Sequence, residues 1–328
     1  MSLEVGTALL AEAAAMSIDA RPVATAAEEA EVDLLIAIGM PVAYPDLMSR
    51  QATATRLHWF ADPLPAAPRG LGERLHRALP TGWLLDRSVR LAPGLAGSAR
   101  FRLARETAER EREQQKNERL IRATMAHFDY LVLDTRDRVE RAARLGITSR
   151  AVPYGYHPLF AGPLGAPATD RDIDVLFFGR FTGPLARRRR ILDQVERELA
   201  LSGIEVTNPT DHVRGVERRR LLERVKIVLD IQRMEGVGES LRYVFAAAAG
   251  AVMVTEPAEG RDLLIPGRHI VAAPADELAG AIVALLQDDD RRTAMVAASY
   301  ELLATDLSMH SALVQLLDVK LVRRRVAP

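Results

Sequence analysis

Short apolar runs, each stopped by glycine, proline or an acid, recur along this chain. Residues 32–38, ended by Gly39, predict a buried parallel strand. Residues 56–61 predict a second, stopped before Pro63, and 128–133 a third. Asp134-Thr135-Arg136-Asp137 then opens an amphipathic helix that runs through Leu145 and closes at Gly146. A weaker fourth strand is expected at 151–155. Four more follow at 173–178, 203–207, 226–231 and 251–255, with a weaker one at 269–272. Helical patterns lie between them. Helices at 276–286 and 290–303, and a last one from about Ser311 into Arg323-Arg324-Arg325, complete the chain. Strands alternating with helices predict parallel sheets of the α/β class.

Three stretches break this alternation. Residues 1–5 offer little strand while 7–15 are already helical, so the opening strand and glycine turn of such a sheet are short or missing. Between about 64 and 126 the pattern changes. Proline and glycine punctuate 63–98, and 100–125 then reads as one helix with no apolar residue from Glu109 to Arg119. A helix polar all round bridges solvent or contacts a partner. Pairs such as Glu106/Arg110 and Glu118/Arg122 support it at i,i+4. Residues 161–169, rich in small residues and proline, are the best linker. The expected organisation is an N-terminal domain at 1–165 with a helical insertion, a second domain at 166–310, and a C-terminal helix and basic tail at 311–328.

At 328 residues the chain is long enough for two cores. Its 44 basic residues balance 44 acidic ones, which argues against nucleic acid as a bulk partner. No cysteine is present, so disulfides, a thiol nucleophile and thiolate-held zinc are excluded. The longest apolar run, 243–254, falls short of the roughly 20 residues a membrane span needs, and no signal-peptide pattern opens the chain. A cytoplasmic protein is expected. Asp288-Asp289-Asp290 is no metal site, because consecutive side chains point in different directions.

The most informative stretch is 235–242, Glu-Gly-Val-Gly-Glu-Ser-Leu-Arg, which leads into an alanine-rich helix, Gly250 and a buried strand. Exposed amides at a helix start, with the positive end of the dipole behind them, bind anions. Glu235 and Gly236 are candidates for ligand contact; Glu239, Ser240 and Arg242 serve either as caps or as phosphate and sugar contacts. Gly179 and Arg180, after 173–178, are candidates for a phosphate, since glycine permits close approach and arginine offers a planar fork. One of Arg187 and Arg188 is expected to reach the same charge. His58 and Asp62, at the end of a strand, are weaker candidates for a second substrate, beside a structural reading. Gly236-Val237-Gly238 lacks the rest of a dinucleotide fingerprint.

Taken in order, four segments resemble the GT-B glycosyltransferases of the retaining group-1 type, nearest the CgeB-like branch. They are 129–160, ending Pro153-Tyr154-Gly155-Tyr156-His157-Pro158; 174–190, with Gly179-Arg180 and Arg187-Arg188-Arg189-Arg190; the loop and helix at 235–250; and 263–278. The resemblance implies two Rossmann-like domains facing across a cleft, the N-terminal one reduced, with a nucleotide-diphosphate-sugar donor in the C-terminal domain. It implies no cofactor and no obligatory metal, because basic residues and helix N-termini carry the diphosphate charge. Glu235 and Arg180 would be catalytic, and the acceptor would sit against the N-terminal domain. The chain departs from the pattern at its second glutamate, which commonly holds the ribose: counting back from Gly250 puts Phe245 there, and a phenyl ring accepts no hydrogen bond. Glu239 is the nearest acid. The alternatives are a catalytically silent GT-B-like scaffold, docking through the polar helix 100–125, or another GT-B enzyme such as a sugar-nucleotide epimerase.

Overall fold

The structure is a computed structural model that describes residues 2–23, 28, 31–39, 54–60, 112, 115–123, 125–165, 171–179, 186–209, 213–232, 236, 238, 240–258, 260 and 262–326. Most of the expected insertion, with Glu106 and Arg110, lies outside them. A helix α1 (Ser2–Ala15) comes first, and among the described residues no strand precedes β1 (Leu34–Ile38). Next come β2 (Thr55–Phe60), β3 (Tyr130–Leu133), α2 (Arg136–Arg144), β4 (Ser149–Ala151) and a short α3 (Pro158–Ala161). These four strands form one parallel sheet in the order β1-β2-β3-β4.

The second half supplies β5 (Ile173–Phe177), α4 (Ala186–Ala200), β6 (Val206–Thr207), α5 (Gly215–Glu223), β7 (Val225–Asp230), α6 (Ser240–Ala248), β8 (Val252–Thr255) and β9 (Ile270–Ala272). The chain ends in α7 (Leu278–Leu286), α8 (Asp289–Ala304) and α9 (Met309–Val326). Its five parallel strands lie in the order β6-β5-β7-β8-β9. The chain steps outward from β5 to β6, then returns past β5 to β7, so the winding reverses between β5 and β7.

Strand periodicity explains the layers. Val175, Phe177, Ile227 and Leu229 pack against Ile191, Leu192 and Val195 of α4 and Ile282 and Leu285 of α7. Leu176, Val228 and Met253 point the other way, toward Tyr243 and Val244 of α6. That second cluster does not stop at the sheet: it runs on through Phe160 and Tyr154 to Trp59, Leu57 and Val132 of the N-terminal sheet. Trp59 is wholly buried, donates from Nε1 to the Val152 carbonyl at 2.8 Å, and packs on Tyr154 with ring centroids 4.5 Å apart.

The segment before α3 and the start of the last helix meet as well. Tyr156 N donates to Leu307 O, and Met309 N to Tyr156 O, both at 2.7 Å. Gly155 permits this crossing, because a Cβ there would lie 2.1 Å from the Ser308 carbonyl oxygen. The last helix α9 therefore returns to α1, where Glu12 accepts from His310 at 2.9 Å, and Arg150 pairs with Asp318 at 3.0 Å.

The polar helix is anchored at its end. Residues 115–123 are helical, with Ile121 fully buried against Phe60, Leu131 and Leu133. Arg122 makes the expected pair with Glu118 at 3.0 Å and also donates to Leu145 O at 3.2 Å. Among the described residues no helix is long and apolar enough to cross a membrane. Gly155→Ala drives a methyl into backbone and is expected to cost about 1–3 kcal/mol or more. Urea unfolding measures it, and a change below about 0.5 kcal/mol contradicts the crossing.

Candidate functional site

In open parallel sheets ligands bind outside the carboxyl ends of the strands where the winding reverses. Here that point lies between β5 and β7, and polar side chains crowd it. The β7 strand ends in Asp230, and β8 is followed directly by Glu256; both are buried. Asp230 accepts from Arg242 Nη1 at 2.7 Å and from Thr255 Oγ1 at 3.4 Å. Glu256 pairs with Arg187, whose Nη1 lies 3.1 Å from Oε2. The same Nη1 is 3.1 Å from the Gln232 carbonyl, and Gln232 N donates to that carboxylate at 2.9 Å. Gln232 Nε2 donates to Glu256 O at 2.7 Å and Pro257 O at 3.0 Å, while Oε1, also buried, has no partner among the described residues. These bonds tie the ends of β7 and β8 to α4 and α6.

The glycine-containing loops project from this base. Gly236 takes φ +77° and bridges to Ala258. The helix beyond it, α6, ends in a Schellman turn: Gly250 N donates to Ala247 O and Ala251 N to Ala246 O, both at 2.9 Å, with Gly250 at φ +73°. The positive φ favours glycine at Gly250, and a Cβ there would also press on the side-chain ends of Arg171 and Tyr300, at 2.6 and 2.7 Å.

Facing these loops is the end of β3 in the other sheet. Asp134 and Thr135 follow it, and Arg138 one turn into α2 is fully buried. Its guanidinium pairs with Asp134 and donates from Nη2 to the carbonyl of Gly238 at 3.1 Å. Arg136 N lies 3.4 Å from Gly260 O, and its side chain pairs with Asp262 at 3.0 Å. Gly260, at φ +70°, has no room for a side chain: a Cβ would sit 2.4 Å from Asp137 N. The strand ends of the two sheets therefore converge on one place.

The residues singled out in the sequence fare differently. Arg180, Glu235, Glu239 and Asp62 lie outside the described residues, and Ser240 begins α6. Gly179 sits at the switch point, and Gly236, Arg242 and Arg187 border the polar base. Arg188 does not: it is buried in the core, donating from Nε to Ile231 O at 2.8 Å with its guanidinium over Phe177, and it braces α4 on β7.

His58 is likewise a core residue. Its Nε2 donates to Gly39 O at 2.8 Å and its ring lies between Phe60 and Phe128 at 5.4 and 5.3 Å. Burial pushes its pKa below the usual imidazole value, against the smaller upward effect of the Gly39 carbonyl. Phe245, counted onto the ribose-holding position, is buried edge-on against Phe160, with the Arg218 guanidinium 3.6 Å from its ring centroid. It fills the seam between the two halves.

Asp230, Gln232, Glu256, Asp134 and Arg138 were not picked out. Part of their signal is in the sequence: Asp134 and Glu256 directly follow apolar strand runs, Asp230 lies at the end of one, and Asp134 and Arg138 stand at i,i+4.

Residues 187–318 match the family described as Glycosyl transferase-like. That segment includes the Arg187–Glu256 pair and the whole of β7, α6 and β8, so the polar base lies within the part of the chain that is similar to this family. Solved structures share the whole two-sheet arrangement. TarM of S. aureus, in complex with fondaparinux, alpha-GlcNAc-glycerol and UDP, aligns with a TM-score of 0.55 at 11% identity over 86% of this chain and 54% of its own. The sucrose-phosphate synthase of Thermosynechococcus elongatus gives 0.51 at 15% identity, over 90% and 75%. Anabaena HepE, in complex with UDP and glucose, gives 0.51 at 11% identity, over 88% and 99%. The chain thus spans about half the length of TarM and nearly all of HepE. The fold is the α/β GT-B arrangement of these glycosyltransferases, with two parallel sheets. No curated protein matches the chain by sequence.

Two measurements probe these side chains, one the polar base and the other the buried histidines. A double-mutant cycle of Asp230→Asn and Arg242→Met is expected to give a coupling of about 0.5–3 kcal/mol in urea unfolding; additivity would show that the pair does not hold α6 to β7. His58, His157 and His269 all have pKa values lowered by burial first. The unfolded chain therefore binds more protons as pH drops through the ordinary value of 6.5, and stability falls from pH 7 to 5. His58→Gln, which keeps a donor for Gly39, should flatten that slope; an unchanged slope would place the proton uptake elsewhere.

Proposed function

We propose that the chain is a glycosyltransferase that moves a sugar from a nucleotide-diphosphate donor to an acceptor held against the N-terminal half. Residues 166–310 serve as the donor domain and 1–165 as the acceptor side. The observation that carries this reading is the buried polar base at the β5–β7 switch point, topped by glycine-containing loops and the start of α6. Such a base can hold amides and cations rigidly against a diphosphate. The UDP in the TarM and HepE complexes favours a uridine nucleotide as the first to test.

In this reading Gly179 lets the chain approach the diphosphate, and Arg180 supplies its fork. Gly236, Glu239, Ser240 and Arg242 line the donor loop, and Glu235 orients the sugar. Arg187 contributes through Glu256, keeping β7 and β8 in register beneath the ligand. Gln232 Oε1, which has no partner among the described residues, would accept from a hydroxyl or N–H of the nucleotide. As the C–O bond to the diphosphate breaks toward an oxocarbenium-like sugar, negative charge grows on the leaving phosphate. Fixed cations and amides stabilise it without a metal. A retaining, front-face path lets that phosphate take the acceptor proton, so no strong protein base is needed.

Thermal melting with nucleoside diphosphates tests the binding step. At 100 times its dissociation constant a ligand adds about 2.7 kcal/mol, raising the midpoint by several degrees. No shift with any nucleoside diphosphate removes this reading. Given a shift, Arg180→Ala should weaken diphosphate binding and abolish turnover of the matching sugar nucleotide, while Glu235→Gln should lower kcat with diphosphate affinity kept. Nucleotide binding without turnover of any sugar nucleotide would favour a silent scaffold.

A further inference from the structure

We propose that Arg138 is a positioning residue for the donor site: reaching across from α2, it holds the loop at Gly238 and so sets where the start of α6 presents its amides to a nucleoside diphosphate. The ligand's identity rests on the glycosyltransferase reading; the latch itself does not.

Three features carry the latch. Arg138 is fully buried, and a buried guanidinium needs its charge balanced close by. Asp134 balances it one turn back on the same side of the molecule. The far arm of the fork, Nη2, donates to Gly238 O at 3.1 Å, across 100 residues of sequence. A planar fork can serve a carboxylate and a carbonyl together; an ammonium cannot match that geometry.

The neighbouring loop makes the contact specific. Gly260 lies so close to α2 that a Cβ would fall 2.8 Å from the Asp137 side chain. Gly236 bridges to Ala258, so the loops carrying Gly238 and Gly260 lean on each other and both lean on the first turn of α2. Gly238 is two residues before Ser240, where α6 starts. A displacement of the Gly238 carbonyl therefore moves the helix start directly. Coupling is reciprocal: a diphosphate that orders the loop also tightens β3 and α2 on the acceptor side.

Hydrogen exchange and nucleotide binding on the full chain test this. In Arg138→Met, exchange at the amides of Gly236 and Gly238 and in the first turn of α6 should rise at least about ten-fold, with amides of β7 and β8 unchanged. Affinity for uridine, guanosine or adenosine diphosphate, whichever the unaltered protein binds, should fall about ten-fold, a change of about 1.4 kcal/mol. Arg138→Lys keeps the charge opposite Asp134 and should lose the loop in the same way; it decides the matter if Arg138→Met does not fold. Loop exchange within two-fold of the unaltered protein overturns the proposal. So does equal loosening of loop and sheet, which marks a merely structural arginine, or a loosened loop with affinity intact. If the unaltered protein binds none of the three diphosphates, the glycosyltransferase reading fails, and the exchange measurement alone decides the latch.

Discussion

Arg218 joins the two halves of this molecule. Its guanidinium, buried on α5, donates to Glu4 of α1 at 3.2 and 3.0 Å and to the Phe160 carbonyl of α3 at 3.0 Å, and lies over the ring of Phe245 on α6. Burial by itself raises the Glu4 carboxyl pKa, but the hydrogen bonds and charge of Arg218 outweigh it and the net shift is downward. Hydrophobic burial is non-directional; a planar fork with fixed partners is not. This contact therefore supplies orientation where the continuous apolar seam supplies only cohesion. With α6 held at Phe245, the loop at its other end starts from a fixed place.

The same logic recurs on a smaller scale at the strand ends. Asp230 with Arg242, and Glu256 with Arg187 and the backbone N–H of Gln232, are charged and polar groups out of water that pair with one another. Leaving one unpaired is expensive, so each network has one preferred arrangement. Rigidity there suits the proposed diphosphate site, because stabilisation of developing charge depends on dipoles that need not reorganise. Glycines then do what side chains would prevent: Gly155 lets the segment before α3 cross the start of the last helix, and Gly260 lets a loop touch α2.

The sheet order could be anticipated only in class. Apolar runs placed every described strand to within a few residues, because burial on both faces leaves an unambiguous signal. The fourth strand shifted from 151–155 to Ser149–Ala151, a weak run with little apolar content. The polar helix near 118 looked free on its periodicity, yet Ile121 buries its end, since one apolar residue suffices where a sheet face lies beneath it. His58 and Arg188 looked like ligand contacts by type and position. Which way each side chain turned was settled by neighbours far away in sequence, Phe128 and Ile231 among them.

Local sequence alone determined the alternation of strands and helices, the helix stop at Gly250 and the polar loop leading into α6, because each rests on short-range backbone preference and hydrophobic period. Pairing across long separations was decided only by the tertiary structure. Residue spacing put Phe245 at the position that commonly holds the ribose, a role a phenyl ring cannot fill; packing made it the partner of Phe160 and Arg218. Arg138 read as one more charge on an amphipathic helix until the fold brought Gly238 within 3.1 Å of it. A residue's chemistry is written in its type, but the partner that gives it work is chosen by the chain's return through space.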